Sequence, residues 1–354
     1  MGNRQHIPLQ KVVTVLPRPV LRRSKTLMRR KWRLRRKRLR KPSARLQIAT
    51  GGAAGSVSYN EGYNSGYNGG YDKGHEDGYR QGRYDGESRN EWKEGVESLI
   101  DSFVPEYEVL ADFTAEQIVA AGVESLRSRF RHLLTPDELG GRVLHALETK
   151  APFSLVRLGD GELLTMAQDT VLGVQQVREQ GSFLGYAGVN VPDLEARDQL
   201  RDAVRKASVV GIPKLRVRNY QPLAVAVFKA HGIELDSLTL TDSLINYYLY
   251  QAGYLSRITS GRRVLVVGTL AEPLSNYLRG CGVNVAAWVS PVDGVKDVPR
   301  VMNEIAAHSF DIAFVAAGVA AVLISQRIAS ELGKVAIDFG HLANSMLKGE
   351  APFK

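Results

Sequence analysis

The feature that most constrains this chain is a rhythm over residues 134–354, where short apolar runs alternate with longer amphipathic stretches. The runs are Ser154–Leu158, Val209–Ile212, Ser237–Leu240, Arg263–Val267, Asn284–Val289, Asp311–Ala316 and Lys334–Asp338. Strands apolar at nearly every position have both faces buried, which happens when helices cover both sides of a parallel sheet. Helical patterns fill the gaps, at Leu194–Ala207, Leu223–His231, Ser243–Ile258, Glu272–Arg279, Pro299–His308 and Ala320–Leu332. Thr135-Pro136-Asp137-Glu138 opens the region with a capping box and a proline at the first helical position. The expected fold class is α/β: a Rossmann-like, mostly parallel sheet with helices on both faces, which binds ligands at the carboxyl ends of its strands.

Three zones precede this domain. Residues 1–50 hold 17 of the 47 Lys and Arg residues and none of the 37 Asp and Glu residues, leaving 30 basic against 37 acidic residues downstream. The basicity therefore belongs to a tail that repels itself and is expected to be disordered alone. Such a tail suits an anionic polymer or membrane surface. In residues 51–90, Tyr59, Tyr63, Tyr67, Tyr71, His75 and Tyr79 repeat every four residues, each followed three residues later by a glycine from Gly62 to Gly82. Glycine at that spacing reads either as a flexible spacer or as a close helix–helix contact, which would make residues 51–130 a homodimer element. Residues 91–133 read as a helical connector, with Thr114 and Gln117 in a capping-box pattern.

Composition removes several classes. Cys281 is the only cysteine, so an intrachain disulfide and a cysteine-cluster zinc site are both excluded. No apolar run approaches the ~20 residues that span a bilayer. A cytoplasmic protein is expected, brought to an anionic surface by its tail. The region Gly268-Thr269-Leu270-Ala271-Glu272 is not Gly-x-Gly-x-x-Gly, so the dinucleotide fingerprint is missing.

The sharpest chemical candidate is Arg157-Leu158-Gly159-Asp160-Gly161-Glu162, directly after the first strand and before a helical run. Gly159 and Gly161 allow a tight turn and close backbone approach to a ligand. Asp160 and Glu162 can aim two carboxylates at one point, a donor set that suits Mn²⁺ or Mg²⁺ shared with substrate phosphates. Arg157 can add a phosphate contact. The same acids also suit the first turn of any helix, through its dipole alone.

Ser154–Glu162 resembles the signature strand and turn of the GT-D-type glycosyltransferases. Phe183–Asp193, Arg262–Gly268 and Ala336–His341 resemble further stretches of that family, in the same order. The resemblance covers about residues 134–354. It implies nucleotide-sugar and metal binding at Asp160 and Glu162, and hence a metal-dependent glycosyltransferase. Its expected partners are a nucleotide-sugar donor, UDP-linked, and a glycan or glycoprotein acceptor. His341 follows a strand and Gly340, so it is expected at the same edge as a third metal ligand or a base on the acceptor. Asp338 can orient it. Gly268, Arg216 and Arg218, at other strand ends, are candidate substrate contacts. The competing class is a polyanion-binding or structural protein whose α/β domain serves only as a scaffold.

Overall fold

The computed structural model describes residues 86–216 and 220–354, with side chains from Glu94 onward. The basic tail, the Tyr/Gly repeat up to residue 85, and Arg218 lie outside the described residues. The chain divides into two units between Ala115 and Glu116. The described part of the first holds α1 (Gly86–Asp101) and an irregular stretch after it.

The second unit holds α2 (Ala115–Ser125, from its second residue), α3 (Pro136–Thr149), β1 (Phe153–Arg157), α4 (Asp160–Ala167), α5 (Val174–Gln180), α6 (Leu194–Lys206) and β2 (Val209–Ile212). It continues with α7 (Tyr220–Ala230), β3 (Leu240–Asp242), α8 (Ile245–Gln251), α9 (Tyr254–Thr259), β4 (Val264–Gly268), α10 (Ala271–Gly280) and β5 (Val285–Val289). It ends with α11 (Val298–Ala306), β6 (Ile312–Ala316), α12 (Ala320–Leu332), β7 (Val335–Asp338) and α13 (Leu342–Leu347). All seven strands join one sheet in the order β3-β2-β1-β7-β6-β4-β5, and every pairing is parallel.

Alternation within the strands builds two cores. In β4, Leu265 and Val267 face one side with Val156 of β1 and Ala313 and Val315 of β6, packed under α4 to α7, α11 and α12. Val264 and Val266 face the other with Leu155, Ile312 and Phe314, packed under α3, α8, α9, α10 and α13. Helix faces follow chain direction, because a parallel crossover is right-handed. The α/β class expected from the sequence is therefore the observed one.

Local departures have local causes. The edge strand β3 begins at Leu240, not Ser237, because its register is set by Val210↔Leu240 pairing and by Leu134, whose N–H donates to Leu240 O at 2.8 Å. The stretch 243–258 is two helices rather than one. Gly253, with φ +73°, ends the first and starts the second. The connector is likewise interrupted, irregular from 102 to 114. Thr135 caps α3 as expected: Glu138 N–H donates to Thr135 Oγ1, and Thr135 N–H donates to Glu138 Oε2 at 2.8 Å. Among the described residues no helix is long and apolar enough to cross a membrane.

Gly268 ends β4 with φ +142°, and a Cβ there would strike the Ala316 carbonyl at the end of β6. Gly268→Ala therefore combines backbone strain with a backbone clash. We expect it to lower unfolding stability by ~2 kcal/mol or more, read as a fall in urea midpoint at unchanged slope.

Candidate active site

The carboxyl ends of β1 and β7 are adjacent in the sheet. β1 passes its chain to α4 on one face, and β7 passes its chain to α13 on the other. Where neighbouring strands turn to opposite faces, the connections part and leave room for a ligand.

The turn after β1 is short: Leu158 is buried, Gly159 stands at the cap, and α4 starts at Asp160. Gly159 N–H donates to Glu162 Oε2 at 2.7 Å, and Gly161 N–H donates to Asp160 Oδ1 at 2.9 Å. Both acids thus answer the exposed N–H groups and positive end of the helix. A Cβ on Gly161 would lie 3.3 Å from Val319 and 3.6 Å from Phe183. The Phe183–Asp193 stretch therefore packs at its start against this turn.

Beneath the turn, Arg157 joins the ends of β1 and β7. Its Nη2 donates to Asp338 Oδ1 at 2.9 Å and its Nε to Asp338 O at 3.1 Å. Nη1 donates to Ser243 O at 2.9 Å and to Asn246 Oδ1 at 3.2 Å. Asn246 in turn donates from Nδ2 to Phe339 O at 2.9 Å. The two charged side chains are 15% and 5% exposed, so the pair is nearly dry. Gly340 has φ +51°, and a Cβ there would run into the Arg157 guanidinium. Arg157, a phosphate contact in the sequence expectation, commits every nitrogen of its guanidinium within the protein.

This buried charge sets the local proton affinities. Enclosure drives the Glu162 carboxyl up to about 7, and the Asp338 carboxylate adds to the rise, against the pull of two backbone N–H groups and Arg157. Asp338 is also pushed above the usual range by burial, while Arg157 and then His341 pull it down. Glu162, Asp338, Arg157 and His341 thus feel one another across the β1 and β7 ends.

The candidate residues are distributed as follows. Asp160 is half-buried at the first position of α4, and His341 is exposed at the cap of α13. Among the described residues no three His, Cys, Asp or Glu side chains gather as a metal-holding group, so Asp160, Glu162 and His341 do not stand as a ready ligand set. Gly268 is buried at the end of β4, the third neighbour of β1 and so about 14 Å away at ordinary strand spacing. Arg216, exposed after β2, donates to Gln221 Oε1 at 3.1 Å. Asn246 was not among the candidates. Its signal was a polar residue inside the buried stripe of an aromatic helix, beside Ile245 and Leu249.

With this geometry, the comparisons define the class: the chain belongs to the GT-D-like family, whose model, a GT-D fold-like domain, matches residues 134–346. No curated protein and no solved structure matches the chain.

Glu162 binds its proton more tightly in the folded chain than in the unfolded one, where the carboxyl titrates near 4.5. Its contribution to stability is therefore full below about pH 4.5 and is lost as pH rises through about 7. We expect Glu162→Gln to be more stable than the parent at pH 8, by on the order of 2 kcal/mol. The difference should vanish towards pH 4 in urea unfolding series.

Proposed function

We propose that the chain is a glycosyltransferase that moves a sugar from a nucleoside-diphosphate donor, UDP-linked, to a glycan or protein-linked acceptor. One observation carries the reading: the Asp160-Gly161-Glu162 turn stands at the carboxyl end of β1, beside β7, in a GT-D-like domain. The N–H groups of Gly159 and Gly161 already meet the two acids. A diphosphate above this turn therefore faces carboxylate charge and needs a counter-charge. In this proposal Asp160 would help to hold a Mn²⁺ or Mg²⁺ ion, which would supply the positive charge that offsets the departing diphosphate. Among the described residues no three His, Cys, Asp or Glu side chains gather to hold the ion.

The other roles belong to the chain itself. Glu162 holds the Gly159 turn in shape. Arg157 and Asp338 fix the spacing of the β1 and β7 ends, on which the position of Asp160 relative to His341 depends. His341 is the group with base chemistry at the exposed β7 end, suited to taking the acceptor hydroxyl proton. Arg216, exposed after β2, and Arg218, close to it in sequence, would meet the outer phosphate or the sugar. Gly268 would meet only the far end of the donor. The basic tail is proposed as a tether to an anionic polymer or membrane surface, and residues 51–130 as a pairing element between two copies; both are accessories to this chemistry.

UDP with Mn²⁺ should raise the melting temperature of the full-length chain, and UDP alone should raise it less. Asp160→Asn should leave the apo melting temperature nearly unchanged, abolish the Mn²⁺-dependent increment, and cut donor hydrolysis by ~10²-fold or more. Mass spectrometry of a nucleotide-sugar panel reads the second effect. Unchanged hydrolysis in Asp160→Asn, with no response to a chelator in the parent, contradicts the assignment.

A further inference from the structure

A groove on the outer side of one helix layer, between α6, α11 and α12, encloses about 310 Å³. That lies at the lower end of the ~300–1,000 Å³ typical of small-molecule sites. Gln199, Asp202 and Lys206 of α6 form one wall, Pro299 of α11 the other, and Gln326 and Arg327 belong to α12. A second hollow of about 200 Å³ shares Gln199 and Pro299 with it and reaches Asp193 and Lys296. Residues 193 and 296 precede the first turns of α6 and α11, at the carboxyl edge of the sheet. The two hollows therefore adjoin along α6 as one row, here termed a channel, with its upper end towards the carboxyl edge of the sheet.

Gln326 decides what this channel can hold. The residue is only 6% exposed, and its amide has no hydrogen-bond partner among the described residues. Yet the amide is not among the fully enclosed orphan atoms, which are the hydroxyls of Ser275 and Ser325. Its polar end therefore opens into the groove it lines, with two donors and an acceptor oxygen to offer. A hydroxyl-bearing occupant can replace the water at this amide with a fixed hydrogen bond, a modest net gain.

The rest of the lining names the chemistry. Arg327 is paired with Glu331 at 2.6 Å and Asp202 with Arg201 at 2.8 Å, so these charges are compensated inside the protein. Neither a polyanion nor a polycation is favoured. No aromatic residue is among the lining, so a nucleobase has nothing to stack on. What remains is two amides, the Ser330 hydroxyl, paired carboxylates and the single ammonium of Lys206, beside a small apolar surface from Val298, Pro299 and Leu323. A pyranose ring matches that mixture, with hydroxyls around its edge and C–H groups on its faces. We propose that the channel binds a segment of neutral glycan, one sugar unit hydrogen-bonded to the Gln326 amide. Its role as a hold on the acceptor rests on the glycosyltransferase reading; the binding itself does not.

The test uses the full-length protein and three neutral probes, maltotetraose, cellotetraose and chitotetraose, titrated by calorimetry and saturation-transfer NMR. At least one should bind with millimolar affinity. Gln326→Leu should weaken it ~10-fold or more, because a polar partner of the sugar is lost. Gln199→Ala, on the exposed rim, should weaken it ~3-fold by removing a weaker hydrogen bond. UDP affinity should be the same in both variants as in the parent. Absence of binding by all three probes overturns the proposal, as does binding that neither variant changes. Glycan binding without UDP binding would sustain the groove and remove the donor reading, so the two failures are distinguishable.

Discussion

The arrangement of the candidate site depends on one buried ion pair. Arg157 ends β1 and Asp338 ends β7, and their contact at 2.9 Å joins segments 181 residues apart in sequence. Desolvation makes such a pair a weak source of net stability, but removing one partner strands a buried charge and costs about 3–5 kcal/mol. Its effect here is geometric. The Arg157 guanidinium also takes the Ser243 carbonyl and Asn246, so the ends of β1 and β7 and the start of α8 are set against one another. The absence of a side chain at Gly340 makes room for it. The same charges reach Glu162, whose high proton affinity comes from enclosure and from the neighbouring Asp338.

The sheet was legible in the sequence because its strands are buried on both sides. Seven apolar runs separated by amphipathic stretches leave few arrangements, and all seven became strands of one parallel sheet. Ser237–Leu240 marked the right strand but the wrong span, since an edge strand takes its register from one neighbour and from whatever covers its outer side. Here Leu134 performs the covering, with Thr241 Oγ1 donating to its carbonyl at 2.8 Å. Apolar periodicity ran through Gly253, so it did not reveal the break between α8 and α9. That break is a backbone event at one positive φ.

Legibility of the site followed the same division. Asp160 and Glu162 could be read because their motif is local: a strand end, two glycines and two acids in six residues. The partners of Arg157 could not, since nothing in the spacing of residues 157, 246 and 338 shows that they meet. Arg157 looked like a phosphate contact because an arginine at a strand end usually faces solvent or ligand. Here the β7 chain lies close enough to engage it from below. The steric need for glycine at position 268, set by the Ala316 carbonyl beside it, could not be told from the sequence either. Asn246 carried a readable sign, a polar residue in a buried stripe, but not the identity of its partner.

These elements converge on one spatial claim: the donor diphosphate lies over the carboxyl ends of β1 and β7, within reach of Asp160. A crystal structure of the full-length protein with UDP and Mn²⁺ tests it most directly. The account predicts the diphosphate above the Gly159–Glu162 turn, with the Arg157–Asp338 pair intact beneath it. Nucleotide bound at another edge of the sheet, with this turn empty, would contradict it.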